Sequence, residues 1–444
     1  MLIKTKLKHL LSDKFVRNSG WMGMSELLHR ISRLVTTVVL ARIFSPYDYG
    51  LVAVVYTTWG FGNIFTLSSG VGSKIVQASE KDLEPICVTS YWLNWILCGS
   101  ICVIQALLAF PIAKFYGSDE LILPLMVLSL LYLIMPFFLV QEALIRRQNK
   151  LKIIAFAKGT SAMITNLITA LFVILGMGIW AVVLGMSLAY PVKMIIFNKS
   201  LHWQRARIFK LEKWREVLHY GGNLLGVSLL EQLRQNIDYL IVGRFLGVDA
   251  LGLYFFAFNA GSGISNNVIM AFTSSMFPYF CEVRDNKMQL KERFFTSLKK
   301  SSFIIVPLII LQSSLAPFYV PIIFGQKWIN AIPVLIIICL SVLPVVVYHS
   351  TKHLLNSVNE VKFNLYWNLT FTLLFSLILL TVVKYGIFVV ATTVLVCQIL
   401  NAIFSICTPN SAPRIRQGIN RQVDAVLQLM GVFRGIDGLC LVPP

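Results

Sequence analysis

The sequence predicts an all-α polytopic membrane protein with about 12 transmembrane helices. Three observations predict it: long apolar runs, few charged residues, and positive charge concentrated in alternate connections between the runs. Of the 444 residues, 57% are hydrophobic and 13% are charged, and the mean hydropathy is +0.73. Average soluble domains carry about 25% charged residues. The composition therefore places the chain in the membrane class.

Each apolar run is about 20 residues long and can cross a hydrocarbon core of about 30 Å. We expect each run to be helical, because a helix satisfies its own backbone hydrogen bonds in lipid. The twelve predicted spans are residues 20–42, 48–70, 86–110, 121–141, 153–175, 178–198, 221–243, 250–274, 300–320, 331–351, 363–383 and 386–407.

The net charge of +19 would suit a nucleic-acid ligand, but its distribution argues against one. Lys and Arg cluster at the N-terminus, in the fourth-to-fifth connection, in the central loop and in the eighth-to-ninth connection. The connections that alternate with these, on the opposite side of the membrane, carry at most one basic residue each: Arg42, Lys114, Arg244, Lys327 and Lys384. This pattern follows the positive-inside rule and predicts that both termini lie in the cytoplasm.

The N-terminus and the cysteines suggest no further chemistry. The first 17 residues are basic and lack a small-residue cleavage site, so we expect no cleaved signal peptide but a short amphipathic helix on the inner surface. The eight cysteines include no CxxC pair. We interpret them as small apolar packing residues rather than as metal ligands or redox groups.

Two segments of the chain are related by an internal repeat. Leu40–Leu51 aligns with Val242–Leu253 at a constant offset of 202, which places Gly50 on Gly252. Six spans per half give both halves the same orientation. We therefore expect two pseudo-symmetric six-helix lobes related by an axis along the membrane normal, an arrangement that occurs in transporters.

The predicted divisions follow from this repeat and from the charge pattern. The C-terminal tail is polar and contains no apolar run of span length, and we expect it to reflect a truncation or a frameshift. The divisions are a basic cytoplasmic N-terminal segment (1–19), an N-terminal lobe (20–198), a basic cytoplasmic linker (199–219), a C-terminal lobe (220–407) and a polar cytoplasmic tail (408–444).

The first predicted span carries a charged stripe. Glu26, His29, Arg30 and Arg33 are spaced 0, 3, 4 and 7, which places them within a helical arc of about 100°. A charge at the bilayer centre costs about 2.5–3.5 kcal/mol on insertion scales, so we expect the stripe to face the bundle interior or water. A structural alternative stays open, because Glu26 and Arg30 also have the spacing of an i,i+4 ion pair.

The seventh predicted span repeats this spacing with Glu231, Arg234, Gln235 and Asp238. The first helix of each half is thus the polar one, as expected if both helices line a shared central cavity. Ionisable residues within membrane spans are by default pathway residues. We therefore expect these two stripes to line the route of a cargo.

A series of short motifs runs along most of the chain. They are Trp21, LARIFSPYDYGL (40–51), GVGSKIVQ (70–77), YWLNW (91–95), ALIRRQNK (143–150), RFLGVDALGLYFFAFN (244–259), MFPYF (276–280) and FGQKWINAIPVL (324–335). In this order they resemble the polysaccharide-transporter family of Wzx-like oligosaccharide-lipid flippases, in the branch that contains the colanic-acid exporters. That family belongs to the multidrug/oligosaccharidyl-lipid/polysaccharide exporter superfamily.

This resemblance implies two six-helix lobes around a central cavity. It implies a cargo of undecaprenyl-pyrophosphate-linked oligosaccharide, moved across the bacterial inner membrane by alternating access for capsule, exopolysaccharide or O-antigen (lipopolysaccharide) synthesis. The partners it implies are this lipid-linked substrate, inner-membrane lipids, and polysaccharide polymerase and chain-length proteins, with no nucleic acid.

The basic residues of the two stripes suit such a cargo. Arginine stays protonated and presents a planar fork of donors, which gives paired hydrogen bonds to a diphosphate. We therefore predict that Arg30, Arg33 and Arg234 bind the cargo, together with His29 and Gln235 in the same stripes.

The acidic residues of the stripes are candidates for energy coupling. Burial raises the pKa of a carboxyl group and a nearby arginine lowers it, so Glu26, Glu231 and Asp238 could titrate within the bundle. Two roles stay open for them. They either couple transport to a proton or sodium gradient or only hold the arginine side chains in place.

The tenth predicted span ends in a basic face formed by His349, Lys352 and His353. We expect it near the cytoplasmic mouth, where it either attracts an anionic head group or anchors the span. Lys158 and Lys193 lie near the cytoplasmic ends of their spans, and we expect them to snorkel to the membrane surface.

The sequence lacks the motifs of an enzyme. There is no Walker sequence for ATP, no DxD pair for a nucleotide sugar and no Cys/His cluster for a metal, so we expect no catalytic residue and no bound cofactor. Three alternatives stay open: a drug or cation antiporter of the same superfamily, a membrane glycan polymerase or ligase, and a non-functional remnant. The short external loops count against a polymerase or ligase.

Overall fold

The computed structural model describes residues 14–203, 208–273 and 275–407, and within these ranges every regular element is helical. The prediction of an all-α fold is therefore confirmed for the described chain. Of the predicted amphipathic segment over residues 1–17, residues 1–13 lie outside the described residues, and residues 14–17 belong to the helix Lys14–Ile43. The predicted polar tail 408–444 also lies outside the described residues.

Sixteen α-helices follow one another in the described chain. Shorter helical turns occupy Asp119–Leu121, Met135–Phe137, Val320–Phe324, Gln326–Ala331 and Val383–Tyr385. The α-helices are α1 (Lys14–Ile43), α2 (Pro46–Phe65), α3 (Ser68–Gln77), α4 (Leu83–Tyr116), α5 (Ile122–Ser129), α6 (Leu131–Ile134), α7 (Leu139–Arg147), α8 (Leu151–Ile174), α9 (Trp180–Ser200), α10 (Trp214–Phe245), α11 (Val248–Thr273), α12 (Met276–Cys281), α13 (Lys287–Tyr319), α14 (Ile332–Ser357), α15 (Val361–Val382) and α16 (Ile387–Cys407).

The predicted spans coincide with this helical framework. Among the described residues, 9 helical stretches are long and apolar enough to cross a membrane. The three predicted spans outside that set fall on α1, α10 and α11, which are long but more polar helices. The charged stripes on α1 and α10 account for two of these three. The chain is a multi-pass membrane protein.

Local sequence signals set the helix ends. α2 begins with a capping box, in which the Ser45 hydroxyl accepts from the Asp48 amide at 3.1 Å and the Asp48 carboxylate accepts from the Ser45 amide at 2.9 Å. Pro46 occupies the first helical position, where its missing N–H costs nothing. α4 ends at Gly117, whose φ of +68° suits glycine.

The described residues form two compact units. The first draws on Met1–Phe256 and Pro317–Ile332, and the second on Ala257–Ala316 and Pro333–Pro444. The six-helix lobes drawn from the internal repeat stay a prediction.

In the first unit, an aromatic cluster fixes the segment 317–332. The Trp328 indole donates to the Ala41 carbonyl at 2.8 Å, stacks on Phe256 at 4.0 Å between ring centroids, and meets Tyr49 edge-on at 5.0 Å. These contacts bury Trp328 completely. Because Ala41 is near the end of α1 while Tyr49 and Phe256 lie on α2 and α11, one indole joins three helices.

A two-fold symmetric contact joins α2 and α11 in the same unit. A Cβ atom on Gly50 would overlap the Val248 carbonyl, and one on Gly252 would overlap the Pro46 carbonyl. Pro46 and Val248 are related by the same offset of 202 as the two glycines. Residue and partner therefore exchange between the repeats, as in a self-complementary interface. Close approach of the two helices requires glycine on both sides.

In the second unit, amide side chains join the helices. The Tyr348 hydroxyl on α14 donates to Asn368 on α15 at 2.6 Å, and the Asn368 amide donates to Asn364 at 2.9 Å. The Trp367 indole donates to Asn401 on α16 at 2.9 Å. Interhelical bonds of this kind hold helices together where the hydrophobic effect is weak.

The glycine contact gives the first prediction. Replacing Gly252 by Ala places a methyl group against the Pro46 carbonyl and should lower the unfolding free energy by about 1–3 kcal/mol through overpacking. Gly263→Ala on the same helix is the matched control, since its added Cβ would meet only the Phe258 carbonyl at 4.0 Å. Thermal melting of the detergent-purified proteins measures both, and equal melting temperatures would contradict the predicted clash.

Candidate functional site

α1 packs against α8 through small hydroxyl side chains. The Ser25 hydroxyl donates to the Ala155 carbonyl at 2.7 Å, and the Thr36 hydroxyl donates to the Asn166 carbonyl at 3.1 Å. The Asn166 amide in turn donates to the Ser32 hydroxyl at 2.8 Å. This Ser/Thr face is adjacent to the charged stripe and distinct from it. These bonds fix the register between α1 and α8.

The charged stripe of α1 contains one internal ion pair. Arg30 Nε lies 3.0 Å from Glu26 Oε1, with side chains 30% and 54% exposed, respectively. The i,i+4 pair foreseen as the structural alternative is thus present, and a pair this exposed stabilises by at most about 1 kcal/mol. Half-buried His29 has its Nδ1 atom buried without a hydrogen-bond partner among the described residues.

Arg33 connects the stripe to neighbouring helices. Its side chain is exposed and interacts electrostatically with Tyr49, Tyr56 and Tyr239. Two of these tyrosines lie on α2 and the third on α10. Whether the α1 stripe and the α10 stripe line a shared cavity stays a prediction.

The α10 stripe divides into two parts. Glu231 and Arg234 are half-buried and Gln235 is exposed. Asp238 is only 4% exposed, and its carboxylate accepts from the Tyr254 hydroxyl at 2.8 Å and from the Tyr239 amide at 3.0 Å. Tyr254 lies on α11. Asp238 is thus buried in the contact between α10 and α11, whereas Gln235 is exposed.

The predicted mouth residues lie in the second unit. His349, Lys352 and His353 are half-buried on α14, and the His349 ring lies 5.5 Å from the Tyr348 ring. Their shared helical face is as predicted. Their role at a mouth stays a prediction.

Sequence reasoning missed Lys193 on α9. Its ammonium lies 4.8 Å from the centre of the Tyr190 ring and interacts electrostatically with His29 and Glu142. A lysine ammonium over an aromatic ring gains a cation–π attraction, and whether Lys193 also snorkels to the membrane surface stays a prediction. The spacing of an aromatic residue three positions before a lysine was the available signal.

Arg147, within the motif ALIRRQNK, caps helix α3. Its guanidinium donates to the carbonyls of Ile75, Val76 and Ala78 at 3.3, 3.0 and 2.5 Å, and to the Glu80 carboxylate at 2.6 Å. These carbonyls are the unsatisfied acceptors of a helix C-terminus. The motif thus has a structural function in this chain.

An ion-pair cluster joins the start of α10 to α3 and to the start of α4. Lys213 lies 3.3 Å from Asp82 and 3.2 Å from Glu216, and Lys74 lies 3.3 Å from Glu216. The Ser79 hydroxyl and the Lys213 ammonium lower the pKa of Asp82, and Lys213 with Lys74 lowers the pKa of Glu216. The two carboxylates raise the pKa of Lys213. We call these four residues the Lys213 cluster.

Comparison with protein families identifies the chain. The sequence profile of a family described as "Polysaccharide biosynthesis protein" matches residues 39–333, about two thirds of the chain. The chain belongs to this family. The resemblance drawn from the short motifs is confirmed.

Three curated relatives cover most of the chain. The teichuronic acid biosynthesis protein TuaB of Bacillus subtilis is 24% identical over 85% of this chain and 78% of its own. The lipopolysaccharide biosynthesis protein WzxC of Escherichia coli is 26% identical over 74% and 67%. The succinoglycan biosynthesis transport protein ExoT of Rhizobium meliloti is 24% identical over 73% and 65%.

Two solved structures show the same fold. The lipid II flippase MurJ in an inward closed conformation superposes with a TM-score of 0.72 at 14% identity, over 93% of each chain. An inward-facing multidrug resistance transporter of the MATE family superposes with a TM-score of 0.69 at 14% identity, over 90% of this chain and 96% of its own. The chain therefore has the fold of these two proteins.

The Lys213 cluster predicts a pH dependence. Carboxyl groups with a lowered pKa contribute stability above their unfolded pKa and lose it as the pH falls through the folded pKa, which lies below the ordinary 3.8 of Asp82 and 4.5 of Glu216. At pH 7, Lys213→Gln should therefore reduce hydrogen-exchange protection of the first turns of α10, and the difference from wild type should shrink as the pH falls below 3.8 and the two carboxylates become protonated.

The control for this experiment is Lys210→Gln. Lys210 pairs at 3.6 Å with Glu212, and both side chains are exposed. This variant loses the same charge from the same linker and should leave α10 protected. Equal protection in the two variants at pH 7 would show that the cluster does not hold α10.

The Asp238–Tyr254 bond gives a further prediction. Tyr254→Phe removes the phenol that donates to a buried carboxylate and should cost about 1–3 kcal/mol of unfolding free energy. Tyr366→Phe is the control. That side chain is 67% exposed, so the loss of its hydroxyl leaves no buried group without its hydrogen-bond donor. Thermal melting compares the two, and an unchanged melting temperature for Tyr254→Phe would rule out a structural role for the bond.

Proposed function

We propose that this protein translocates undecaprenyl-pyrophosphate-linked oligosaccharide repeat units across the bacterial inner membrane for surface polysaccharide synthesis. Membership of the polysaccharide biosynthesis family carries the proposal. The relatives named for teichuronic acid, lipopolysaccharide and succinoglycan support it, and so does a fold shared with a lipid II flippase. The protein is a transporter rather than an enzyme, with both termini in the cytoplasm.

The basic and amide side chains of the α1 and α10 stripes supply the chemistry for this cargo. Arg30, Arg33 and Arg234 offset the diphosphate charge during passage, and His29 and Gln235 donate further hydrogen bonds. In a low-dielectric interior such charge-assisted bonds are about twice as strong as neutral ones. The excess of basic groups disfavours a cation antiporter, whose cargo it would repel.

A proton or sodium gradient drives the cycle in this proposal. The three acidic candidates are Glu26, Glu231 and Asp238. Glu231 is half-buried on α10 and is tested first. In a flux assay with an imposed pH jump or an ionophore, Glu231→Gln should lose the wild-type response, and an equal response would exclude Glu231 from coupling.

Two further proposals concern the membrane and the protein partners. The lipid-linked oligosaccharide is the substrate, and the surrounding lipids are those of the inner membrane. Polysaccharide polymerase and chain-length proteins act on the product after translocation.

The test uses the host bacterium with this gene deleted and the polymerase gene intact. Lipid-linked intermediates are extracted and identified by mass spectrometry. One complete undecaprenyl-linked repeat should accumulate, and plasmid-borne protein should relieve the accumulation. Unchanged lipid pools would contradict the proposed function.

The same assay tests the stripe. Arg30→Gln with Arg33→Gln should fail to relieve the accumulation while its expression equals wild type, because two charges that offset the diphosphate are lost. Arg284→Gln with Lys300→Gln removes the same charge from exposed positions outside the stripes and should restore transport. Full activity of the Arg30/Arg33 double variant would exclude these arginines from cargo binding.

A further inference from the structure

A second group of charged residues lies beside the α1 stripe in the first unit. Its members are Glu142 and Arg146 on α7, Lys158 on α8 and Lys193 on α9, and we call them the Lys193 cluster. The Ser161 hydroxyl donates to the Ala189 carbonyl at 3.2 Å and fixes the register between antiparallel α8 and α9. That register puts Lys158 and Lys193 at the same level.

Glu142 is the one carboxylate of this cluster, and it pairs with the basic side chains around it. Glu142 Oε1 lies 3.1 Å from Arg146 Nη2 and 3.9 Å from Lys158 Nζ, and it interacts electrostatically with Lys193. The Glu142 side chain is 18% exposed. Three basic groups thus share one largely buried carboxylate, and the cluster keeps an excess of positive charge.

The α1 stripe approaches this cluster from the neighbouring helix. Gly159, adjacent to Lys158, lets Ser25 of α1 pack closely, since a Cβ atom there would lie 2.7 Å from the Ser25 hydroxyl. His29 follows one turn later and interacts electrostatically with Lys193. Its Nδ1 atom is buried and lacks a hydrogen-bond partner within the described residues.

An aromatic wall holds the Lys193 ammonium in place. Its Nζ atom lies 4.8 Å from the centre of the Tyr190 ring, and Trp59 meets that ring edge-on at 5.7 Å. Tyr190 also packs on Phe138 at 6.1 Å. A cation on a fixed aromatic face is pre-organised, so little side-chain entropy is lost when an anion binds.

We infer that the Lys193 cluster, with His29, is a second anion site that takes a diphosphate ester, and that Glu142 occupies its cations until that ligand arrives. The Arg146 and Lys158 side chains are 52% and 48% exposed and Lys193 is half-buried. The Glu142 carboxylate offsets part of the repulsion among these three neighbouring cations. A diphosphate carries more charge and more acceptor oxygens than one carboxylate and can displace it. Lys158 and Lys193 then act as compact point-charge donors beside the arginine forks.

This inference rests on the proposed function and extends it. In the proposed orientation the cluster lies where α8 begins and α9 ends, toward the cytoplasm. A ligand that enters from that side meets Lys158 and Lys193 before the middle of the α1 stripe. The cluster would therefore capture the diphosphate head before translocation begins.

A binding titration on the full-length purified protein in neutral detergent tests the inference. The probe is farnesyl diphosphate, a short prenyl diphosphate. Lys193→Gln should weaken its affinity by about tenfold or more, as expected for loss of a charged hydrogen bond. Glu142→Gln should strengthen the affinity, because it removes the competing carboxylate. Changes in opposite directions cannot both arise from misfolding.

Lys384→Gln is the matched control. Its ammonium lies 5.0 Å from the centre of the Tyr385 ring in the second unit, so it loses a similar cation–aromatic pair. This variant should bind the probe as wild type does. If Lys193→Gln lowers the melting temperature, Lys193→Arg is titrated instead of Lys193→Gln. Lys193→Arg keeps the charge and should retain binding of the probe.

Three outcomes would overturn the inference. The first is an affinity unchanged by Lys193→Gln, and the second is an affinity unchanged or weakened by Glu142→Gln. The third is displacement of the probe by phosphatidylglycerol with equal affinity, which would assign the site to phospholipid head groups. The deletion assay keeps the two proposals apart: unchanged lipid pools would refute the function, whereas accumulated repeats with normal probe binding in Lys193→Gln would refute only this site.

Discussion

The hydrocarbon interior of a membrane supplies no hydrogen-bond partners, so a polar group within a span must find one inside the protein. α1 shows how this chain meets the constraint. Its hydroxyl residues use the backbone carbonyls of α8, as Ser25 does with Ala155. α10 uses a phenol instead, and Asp238 is satisfied by Tyr254. These contacts fix the faces of α1 and α10 that pack against neighbouring helices.

Close helix contacts come from glycines that the internal repeat supplies twice. Gly50 meets Val248 while Gly252 meets Pro46, so one local sequence pattern provides both sides of the contact. A self-complementary contact of this kind explains why the repeated segments keep glycine at equivalent positions. Trp328 then fixes the ends of the helices that this contact brings together.

Two basic groups of the first unit each pair with a carboxylate one helical turn earlier. Glu26 lies one turn before Arg30, and Glu142 lies one turn before Arg146. In both places a carboxylate offsets part of the positive charge while more basic groups than acids remain. Both pairs are partly exposed, so each carboxylate offsets positive charge without the full desolvation cost of a buried ion pair.

The sequence by itself determined the helical class, the multi-pass character, the repeat, the family and the polar face of α1, including the Glu26–Arg30 spacing. These are properties of a single helix or of a local motif, and hydropathy and periodicity report them directly. The tertiary structure decided which stripe residues face a partner. It buried Asp238 against Tyr254 and brought Lys193 to His29, because such contacts depend on the register between helices far apart in the chain, and no single-helix pattern contains that register.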